Sequence, residues 1–265
     1  MSPAPRLLLN TSSIELWPAR LLRARGNHDA RILAQADWLL RRKRDGRYLA
    51  ARLPQGLMPL VTRLWRETGV EAALDALAGH EARPRAIDAS ALPLDGLQQR
   101  LARLGLDADD YAARTGLALV AEPATLAFAG RDRYSRALWL TAAAGRQWQL
   151  MRAAAARAGV VLEAISGYRS HDYQLGIFER KFARGLELAQ ILAVNAAPGY
   201  SEHHGGEALD IGTPDEPPAE ESFEHTAAFA WLQQHARIFG FHMSYPRDNP
   251  HGIVYEPWHW RYQGA

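Results

Sequence analysis

The sequence predicts an α+β fold. Apolar Leu, Trp and Val side chains recur at helix-like spacing through much of the first hundred residues, whereas short strand-like runs concentrate in the second half. Helices and strands do not alternate regularly along the chain, which disfavours a doubly wound parallel sheet. A length of 265 residues accommodates one large domain or two small ones.

The first hundred residues are predicted to be mainly helical. The segments 29–44, "DARILAQADWLLRRKR", and 58–80, "MPLVTRLWRETGVEAALDALAGH", place apolar side chains at helical intervals. Between them, Asp45-Gly46 is a favoured two-residue turn, so a short basic hairpin is predicted there. Residues 81–96 are rich in Pro and Ala and form a candidate linker.

The later elements are predicted from helix-forming segments separated by short apolar runs. Strands are predicted in "VVLEAISGYRS", "ALDIG", "FHMSYP" and "GIVYEPWHWRY". Gly159 and Gly240 are expected to end the helices that precede them. The predicted helices cover 94–116, 140–159, 171–185, 186–197 and 225–240.

Composition excludes some classes of protein and site. The chain has no cysteine, which excludes disulfides and thiolate sites. The opening "MSPAPRLLLNTSS" lacks the roughly 7–15 apolar residues of a signal peptide. No run approaches the roughly 18 apolar residues of a membrane helix. A cytoplasmic protein is therefore expected as the sequence is written, whereas a periplasmic location would require a leader outside it.

Charge divides the chain into two parts. Residues 1–66 hold 13 Lys and Arg against 4 Asp and Glu, a surplus of +9, whereas 67–265 hold 18 against 25, a balance of −7. This asymmetry, together with the change of pattern, predicts two domains. We expect a basic, mainly helical N-terminal domain at 1–115 and a second domain at 116–265.

Two segments of the second part, "SEHHGGEALD" and "EPWHWRY", supply a candidate metal site. A catalytic zinc site generally takes three ligands from His and carboxylate side chains and leaves one position for water. His203, Asp210 and His259 make such a set, and Glu256 adds a carboxylate that is not a ligand and can take a proton from water. In a regular strand Glu256 and His259 would face opposite sides, so the prediction requires irregular backbone at Pro257.

Ordinary structural roles stay open for each of these residues. His203 fits a polar loop, Asp210 fits the cap of a turn, and the tryptophans of "EPWHWRY" fit a core. Glu256 would also fit a surface ion pair with Arg261.

Three segments together, "SGYRSHDYQ", "GYSEHHGGEALDIG" and "YEPWHWRY", resemble the zinc D-alanyl-D-alanine carboxypeptidases of the VanY type. These belong to a larger group, the LAS peptidases, that includes the D-Ala-D-Ala dipeptidases. The group pattern is Ser-x-His, an Asp seven residues after the His, and Glu-x-x-His. Here it falls on Ser201, His203, Asp210, Glu256 and His259, and the resemblance covers roughly residues 131–262.

The resemblance implies helices packed on a small antiparallel sheet that holds Zn²⁺ through His203, Asp210 and His259. It makes Glu256 the general base and later the acid that protonates the leaving amine. Arg169 matches an arginine near the scissile carbonyl, where a fixed guanidinium can stabilise an oxyanion. Four further matches line the family's substrate cleft: Ser201, Ser170, Tyr168 and Gln174.

The implied activity is removal of the C-terminal D-Ala from a peptidoglycan stem peptide, which makes the protein a D,D-carboxypeptidase. An L,D-carboxypeptidase acting on tetrapeptide muropeptides in cell-wall recycling uses the same machinery and stays open. The alternative from another class is a metal-dependent binding module without catalysis, which the presence of Glu256 disfavours.

The N-terminal part has no such resemblance, and its partner is unknown. Packing on the catalytic domain is the default expectation, because basic runs are usually solvated faces. Docking to an anionic wall polymer or to another protein is the alternative. Nucleic-acid binding is disfavoured, since no platform of interleaved aromatic and basic residues stands out.

Overall fold

The computed structural model describes residues 6–83 and 90–264, so part of the candidate linker, 84–89, lies outside the described residues. The chain forms two compact units. The N-terminal unit consists of Met1–Pro93 and Pro123–Phe128, and the C-terminal unit consists of Leu94–Glu122 and Ala129–Ala265. Residues 94–115, which the predicted boundary at 115 places in the first domain, therefore lie in the C-terminal unit.

The N-terminal unit is built on an antiparallel sheet. Six strands follow the order β5-β4-β3-β2-β1-β6, and two helices accompany them. Strand β6 begins in this unit and ends in the C-terminal one. The strands are β1 (Leu7–Asn10), β2 (Ile14–Pro18), β3 (Trp38–Arg42), β4 (Tyr48–Leu53), β5 (Gly56–Pro59) and β6 (Thr125–Arg131); the helices are α1 (Asn27–Leu33) and α2 (Val70–Ala82).

The prediction of a mainly helical N-terminal domain is wrong, and strand β3 shows why. Leu40 packs in one apolar cluster and its neighbour Leu39 in another, so both faces of the strand are covered. A strand buried on both faces reads as a continuous apolar run, without the alternation that marks a half-exposed strand. The hairpin predicted at Asp45-Gly46 is confirmed, since it joins β3 to antiparallel β4 and Gly46 has φ +70°.

The C-terminal unit confirms the α+β prediction. Its sheet is small and antiparallel, with the order β10-β11-β9-β8, and β7 is hydrogen-bonded to β6. The strands are β7 (Ala137–Leu140), β8 (Glu163–Ser166), β9 (Ala208–Gly212), β10 (Phe241–Met243) and β11 (His259–Tyr262); the helices are α3 (Leu97–Ala102), α4 (Ala108–Thr115), α5 (Ala142–Arg157), α6 (His171–Phe182), α7 (Leu188–Leu192) and α8 (Ala227–His235).

Helices α3 and α4 pack inside the C-terminal unit. The ring of Tyr111 on α4 lies edge-on to Tyr200, with 4.9 Å between centroids. The Tyr111 hydroxyl accepts a hydrogen bond from the Ala197 N–H at 3.1 Å, and the Tyr200 hydroxyl donates to the Ala108 carbonyl at 2.8 Å. These helices therefore support the chain segment that leads into β9.

Local sequence explains where the C-terminal helices begin and end. The Thr141 and Ser170 hydroxyls accept backbone N–H groups at the starts of α5 and α6, and Thr226 does so for α8. Gly159 lies just beyond α5, and Gly240 ends the 3₁₀ turn Ala236–Phe239 that follows α8; both have φ of +75°. No helix in the described ranges is long and apolar enough to cross a membrane.

The core of the C-terminal unit offers a stability test at Trp148. Its side chain on α5 is fully buried in the main apolar cluster. Replacing it with alanine is expected to lower the free energy of unfolding by about 3–5 kcal/mol, because the cavity adds to the lost apolar burial. Urea denaturation followed by circular dichroism measures the change. The control is Trp65→Ala: that tryptophan is 69% exposed, and a change within about 0.5 kcal/mol is expected. Equal losses in the two variants would contradict the placement of Trp148 in the core.

Candidate active site

The candidate ligands meet on the two central strands of the small sheet. Asp210 on β9 and His259 on β11 are direct partners in the antiparallel register, so their side chains lie on one face. His203 lies in a 3₁₀ turn, Glu202–Gly205, immediately before β9. The structure therefore brings together the three residues that the sequence singles out, with one ligand atom of each within 4.8 Å of the others.

The donor atoms fit a zinc ion. His203 Nδ1 donates to the Gly167 carbonyl at 2.7 Å, which leaves Nε2 without a hydrogen. That buried Nε2 lies 3.3 Å from Asp210 Oδ1 and makes no hydrogen bond within the described chain. His259 Nδ1 lies 3.2 Å from the same oxygen. Two imidazole nitrogens and one carboxylate, all buried, are a donor set that suits Zn²⁺.

The electrostatics of the site favour a cation. Burial lowers the pKa of His203 to about 4, with the charge of Arg169 acting in the same direction, so this imidazole is neutral. Burial acts to lower the pKa of His259 as well, but hydrogen bonds to Asp210 and Glu202 raise it to about 10. Asp210 and Glu202 thus place negative charge beside this imidazole, and a bound cation would compensate it.

The backbone at Pro257 is irregular, as the sequence requires if Glu256 and His259 are to lie on the same side. Pro257 and Trp258 form a turn, and β11 begins only at His259. The His259 N–H donates to the Glu256 carbonyl at 3.1 Å. As a result Glu256 Oε2 lies 3.9 Å from His259 Nδ1, beside the ligands. Burial raises the pKa of Glu256 to about 7, which suits a group that takes up and releases a proton near neutral pH.

Arg169 reaches the same site from the loop between β8 and α6. Its Nη2 lies 3.6 Å from Asp210 Oδ2, and its backbone N–H donates to the His203 carbonyl at 3.2 Å. The guanidinium lines a cleft together with the candidate base. The described lining of this cleft is Arg169, Gln174, Val194, Asn195, Ala196, Ser201, His203, Tyr245, Ile253, Glu256 and His259.

The four predicted substrate positions separate into two pairs. Ser201 and Gln174 line the cleft. Tyr168 and Ser170 are not part of that lining: the Tyr168 hydroxyl donates to Glu122, and the Ser170 hydroxyl caps α6. Neighbouring positions in one motif thus have different roles, because side-chain direction depends on the turn into the helix.

The site also contains residues that the sequence pattern does not single out. Tyr245 lines the cleft, with its ring centroid 4.9 Å from that of His259. Glu202 Oε2 lies 2.8 Å from His259 Nε2, and Glu202 Oε1 lies 3.2 Å from Arg261 Nη1. Arg261 therefore pairs with Glu202 rather than with Glu256. The adjacency of Glu202 to His203 is the only local signal that the sequence offers.

A buried carboxylate, Glu122, supports the loop that carries Arg169. It accepts the His171 backbone N–H at 2.8 Å and the Tyr168 hydroxyl. Behind the loop, His204 Nδ1 donates to the Arg169 carbonyl at 2.7 Å. The loop is therefore held from both sides by buried hydrogen bonds, and His171 and His204 serve as its supports.

Removing this carboxylate gives a second stability test. Glu122→Ala is expected to lower the free energy of unfolding by about 1–3 kcal/mol, because buried donors lose their acceptor. Chemical denaturation of the purified variant measures the loss. Glu179→Ala is the matched control, since Glu179 pairs with Arg103 on the surface and should cost at most about 1 kcal/mol. A smaller loss at Glu122 than at Glu179 would show that the buried network contributes little.

Comparison with known proteins identifies relatives of this region. A family model described as "VanY: D-alanyl-D-alanine carboxypeptidase" matches residues 137–265. "Putative carboxypeptidase YodJ" of Bacillus subtilis (strain 168) is 42% identical over 115 residues, which are 42% of this chain and 41% of YodJ. Among solved structures, the LdcB LD-carboxypeptidase is 36% identical, with a TM-score of 0.44, over 48% of this chain and 60% of LdcB. The chain thus matches less than two thirds of the length of either protein.

A third relative is matched over more of its length. "Bifunctional D-Ala-D-Ala dipeptidase and D-Ala-D-Ala carboxypeptidase VanXYC" of Enterococcus gallinarum is 32% identical over 133 residues, which are 48% of this chain and 68% of VanXYC. The region that the family model matches, residues 137–265, takes in the segments that carry the ligand set and the candidate base. The chain belongs to the VanY family of D-alanyl-D-alanine carboxypeptidases, whose domain it carries at residues 137–265.

Proposed function

We propose that this protein is a zinc-dependent carboxypeptidase that removes the C-terminal D-Ala from peptidoglycan stem peptides, acting as a D,D-carboxypeptidase. One observation carries the proposal. Three buried ligand atoms lie within 4.8 Å of one another, and the non-ligand carboxylate of Glu256 lies beside them in a cleft that also holds Arg169. Such a set of ligands, base and cation serves hydrolysis and has little use in a binding module.

His203, Asp210 and His259 would hold the metal. When bound, zinc supplies Lewis-acid chemistry: it polarises the peptide carbonyl and makes water more acidic. Glu256 takes the proton that the attacking water loses and later donates it to the nitrogen of the leaving D-Ala. Arg169 stabilises the negative charge that develops on the carbonyl oxygen.

The cleft also offers polar groups for orienting a peptide. Gln174 Nε2 donates to the Ala196 carbonyl at 2.8 Å, so its Oε1 is directed elsewhere. That oxygen is buried and makes no hydrogen bond with any described residue, which leaves it free to accept an N–H of the substrate. Ser201 adds a hydroxyl on the same lining. With Arg169 as the cation of the lining, these groups suit a peptide that ends in a carboxylate.

Mass spectrometry of stem peptides incubated with the purified protein tests the proposal. The substrates are a pentapeptide ending in D-Ala-D-Ala and the tetrapeptide ending in one D-Ala, each with and without a chelator. Glu256→Ala is the inactive control. Chelator-sensitive loss of one D-Ala from the pentapeptide alone is the expected result. Loss from the tetrapeptide would show an L,D-carboxypeptidase instead, and no cleavage of either peptide by zinc-loaded protein would refute the proposal.

A further inference from the structure

We propose that Glu202 is a positioning residue of the metal site, which holds His259 so that Nδ1 faces the metal. The inference rests on the zinc function proposed above. His259 Nε2 lies 2.8 Å from Glu202 Oε2. A carboxylate beside a guanidinium accepts hydrogen bonds and does not donate them, so Nε2 carries the hydrogen of this contact. Once a metal ion takes the place of the second proton, the lone pair of His259 is on Nδ1, on the side of Asp210 and Glu256.

Arg261 holds Glu202 in place. Its Nη1 lies 3.2 Å from Glu202 Oε1, the oxygen that does not contact His259. On β11, residues 259 and 261 are two apart, so both side chains lie on one face of the strand. Glu202 bridges the two from the 3₁₀ turn before β9. Arg261, Glu202 and His259 thus form a chain of hydrogen bonds, and His259 Nδ1 at its end is the candidate ligand atom.

The bridge needs both oxygens of the carboxylate. One oxygen accepts from Arg261 and the other from His259, and the Glu202 side chain is 13% exposed, so water replaces neither contact readily. An amide of the same shape has only one acceptor. Glu202→Gln would therefore satisfy Arg261 or His259 but not both, and would turn an N–H group toward the other donor. The substitution changes hydrogen bonding without changing side-chain volume.

Glu207 provides a matched control. Its Oε2 lies 3.7 Å from Arg261 Nη2, so it pairs with the same guanidinium as Glu202. Its side chain is 37% exposed, and it is not part of the cleft lining. Glu207→Gln removes the same charge from the same arginine, but leaves the contact to His259 intact.

The test is the Zn²⁺ dissociation constant of the full-length protein, measured without substrate by competition with a chromophoric chelator. Glu202→Gln and Glu202→Ala are expected to bind zinc about 10–100-fold more weakly than the parent protein. Glu207→Gln is expected to stay within about twofold, as for an exposed ion pair. The absorption spectrum of the Co²⁺-loaded Glu202 variants should also change, because the imidazole is reoriented, and a purely structural role would not alter it.

The outcomes separate this inference from the proposed function. Zinc affinity of Glu202→Gln equal to that of Glu207→Gln would overturn the positioning role, as would a parent protein that binds no zinc. A parent protein that binds zinc but cleaves no stem peptide would refute the proposed function alone. If Glu202→Gln does not fold, Arg261→Lys removes the guanidinium nitrogen that contacts Glu202 and keeps the positive charge at position 261. Weaker zinc binding is expected there too, and unchanged affinity in that folded variant would overturn the inference.

Discussion

Replacing Glu256 by glutamine is expected to lower kcat/KM for the cleaved stem peptide by about 10²–10⁴-fold, because an amide cannot take the proton from water or return it to the leaving amine. Bound zinc is expected to remain, since the proposed ligands are His203, Asp210 and His259 and not Glu256. Steady-state kinetics together with the metal content of the purified variant measures both effects.

Glu207→Gln is the control for this experiment as well, because Glu207 is a half-exposed carboxylate outside the cleft lining. Its kcat/KM should match that of the parent protein. A Glu256→Gln variant with undiminished turnover would remove Glu256 from the role of base. Loss of zinc from the same variant would instead make Glu256 a ligand and require a different proton acceptor.

The second large effect is expected at Asp210. Asp210→Asn should weaken zinc binding by roughly 100-fold or more, beyond the loss expected for a group that only supports a ligand. The Asp210 side chain is 11% exposed, and its carboxylate supplies the negative charge that two imidazoles and Arg169 face. The neutral amide of asparagine would not supply the negative charge that balances a divalent ion. Metal analysis after dialysis should find the variant empty and without peptidase activity.

Thermal stability gives an independent measure of the loss of zinc binding in Asp210→Asn. A ligand that binds only the folded state at 1,000 times its dissociation constant adds about 4 kcal/mol to the free energy of unfolding. Adding zinc should therefore raise the Tm of the parent protein and leave that of Asp210→Asn almost unchanged. Asp215→Asn, at an exposed turn, should respond as the parent does. An equal rise in Tm for Asp210→Asn would show that zinc binds elsewhere.

The sequence predicts which residues meet at the site better than it predicts the contacts that surround them. His203, Asp210, Glu256 and His259 stand out because their side-chain types and spacings suit a zinc hydrolase, and the structure brings them together. Glu202 gave no such signal, because its contact with His259 joins residues 57 positions apart. Contacts of this kind depend on strand register, which a local pattern does not contain.

The fold, too, was predictable only where the signal is local in the sequence. Helices α5, α6 and α8 were predictable, because capping residues and glycines mark their ends within a few positions. The N-terminal strands were missed, because their apolar runs are covered on both faces and carry no period of two. Burial on both faces is a tertiary property that appears only once the helices are in place.

The path of the chain between the two units limits how the N-terminal unit can be exchanged during evolution. It passes from one unit to the other after Pro93, after Glu122 and again after Phe128. A single recombination point between genes therefore cannot exchange the whole N-terminal unit, because Pro123–Phe128 would stay behind with the peptidase. Replacing that unit by another requires two separate gene segments to change together. The two units are thus expected to diverge as one lineage rather than as interchangeable modules.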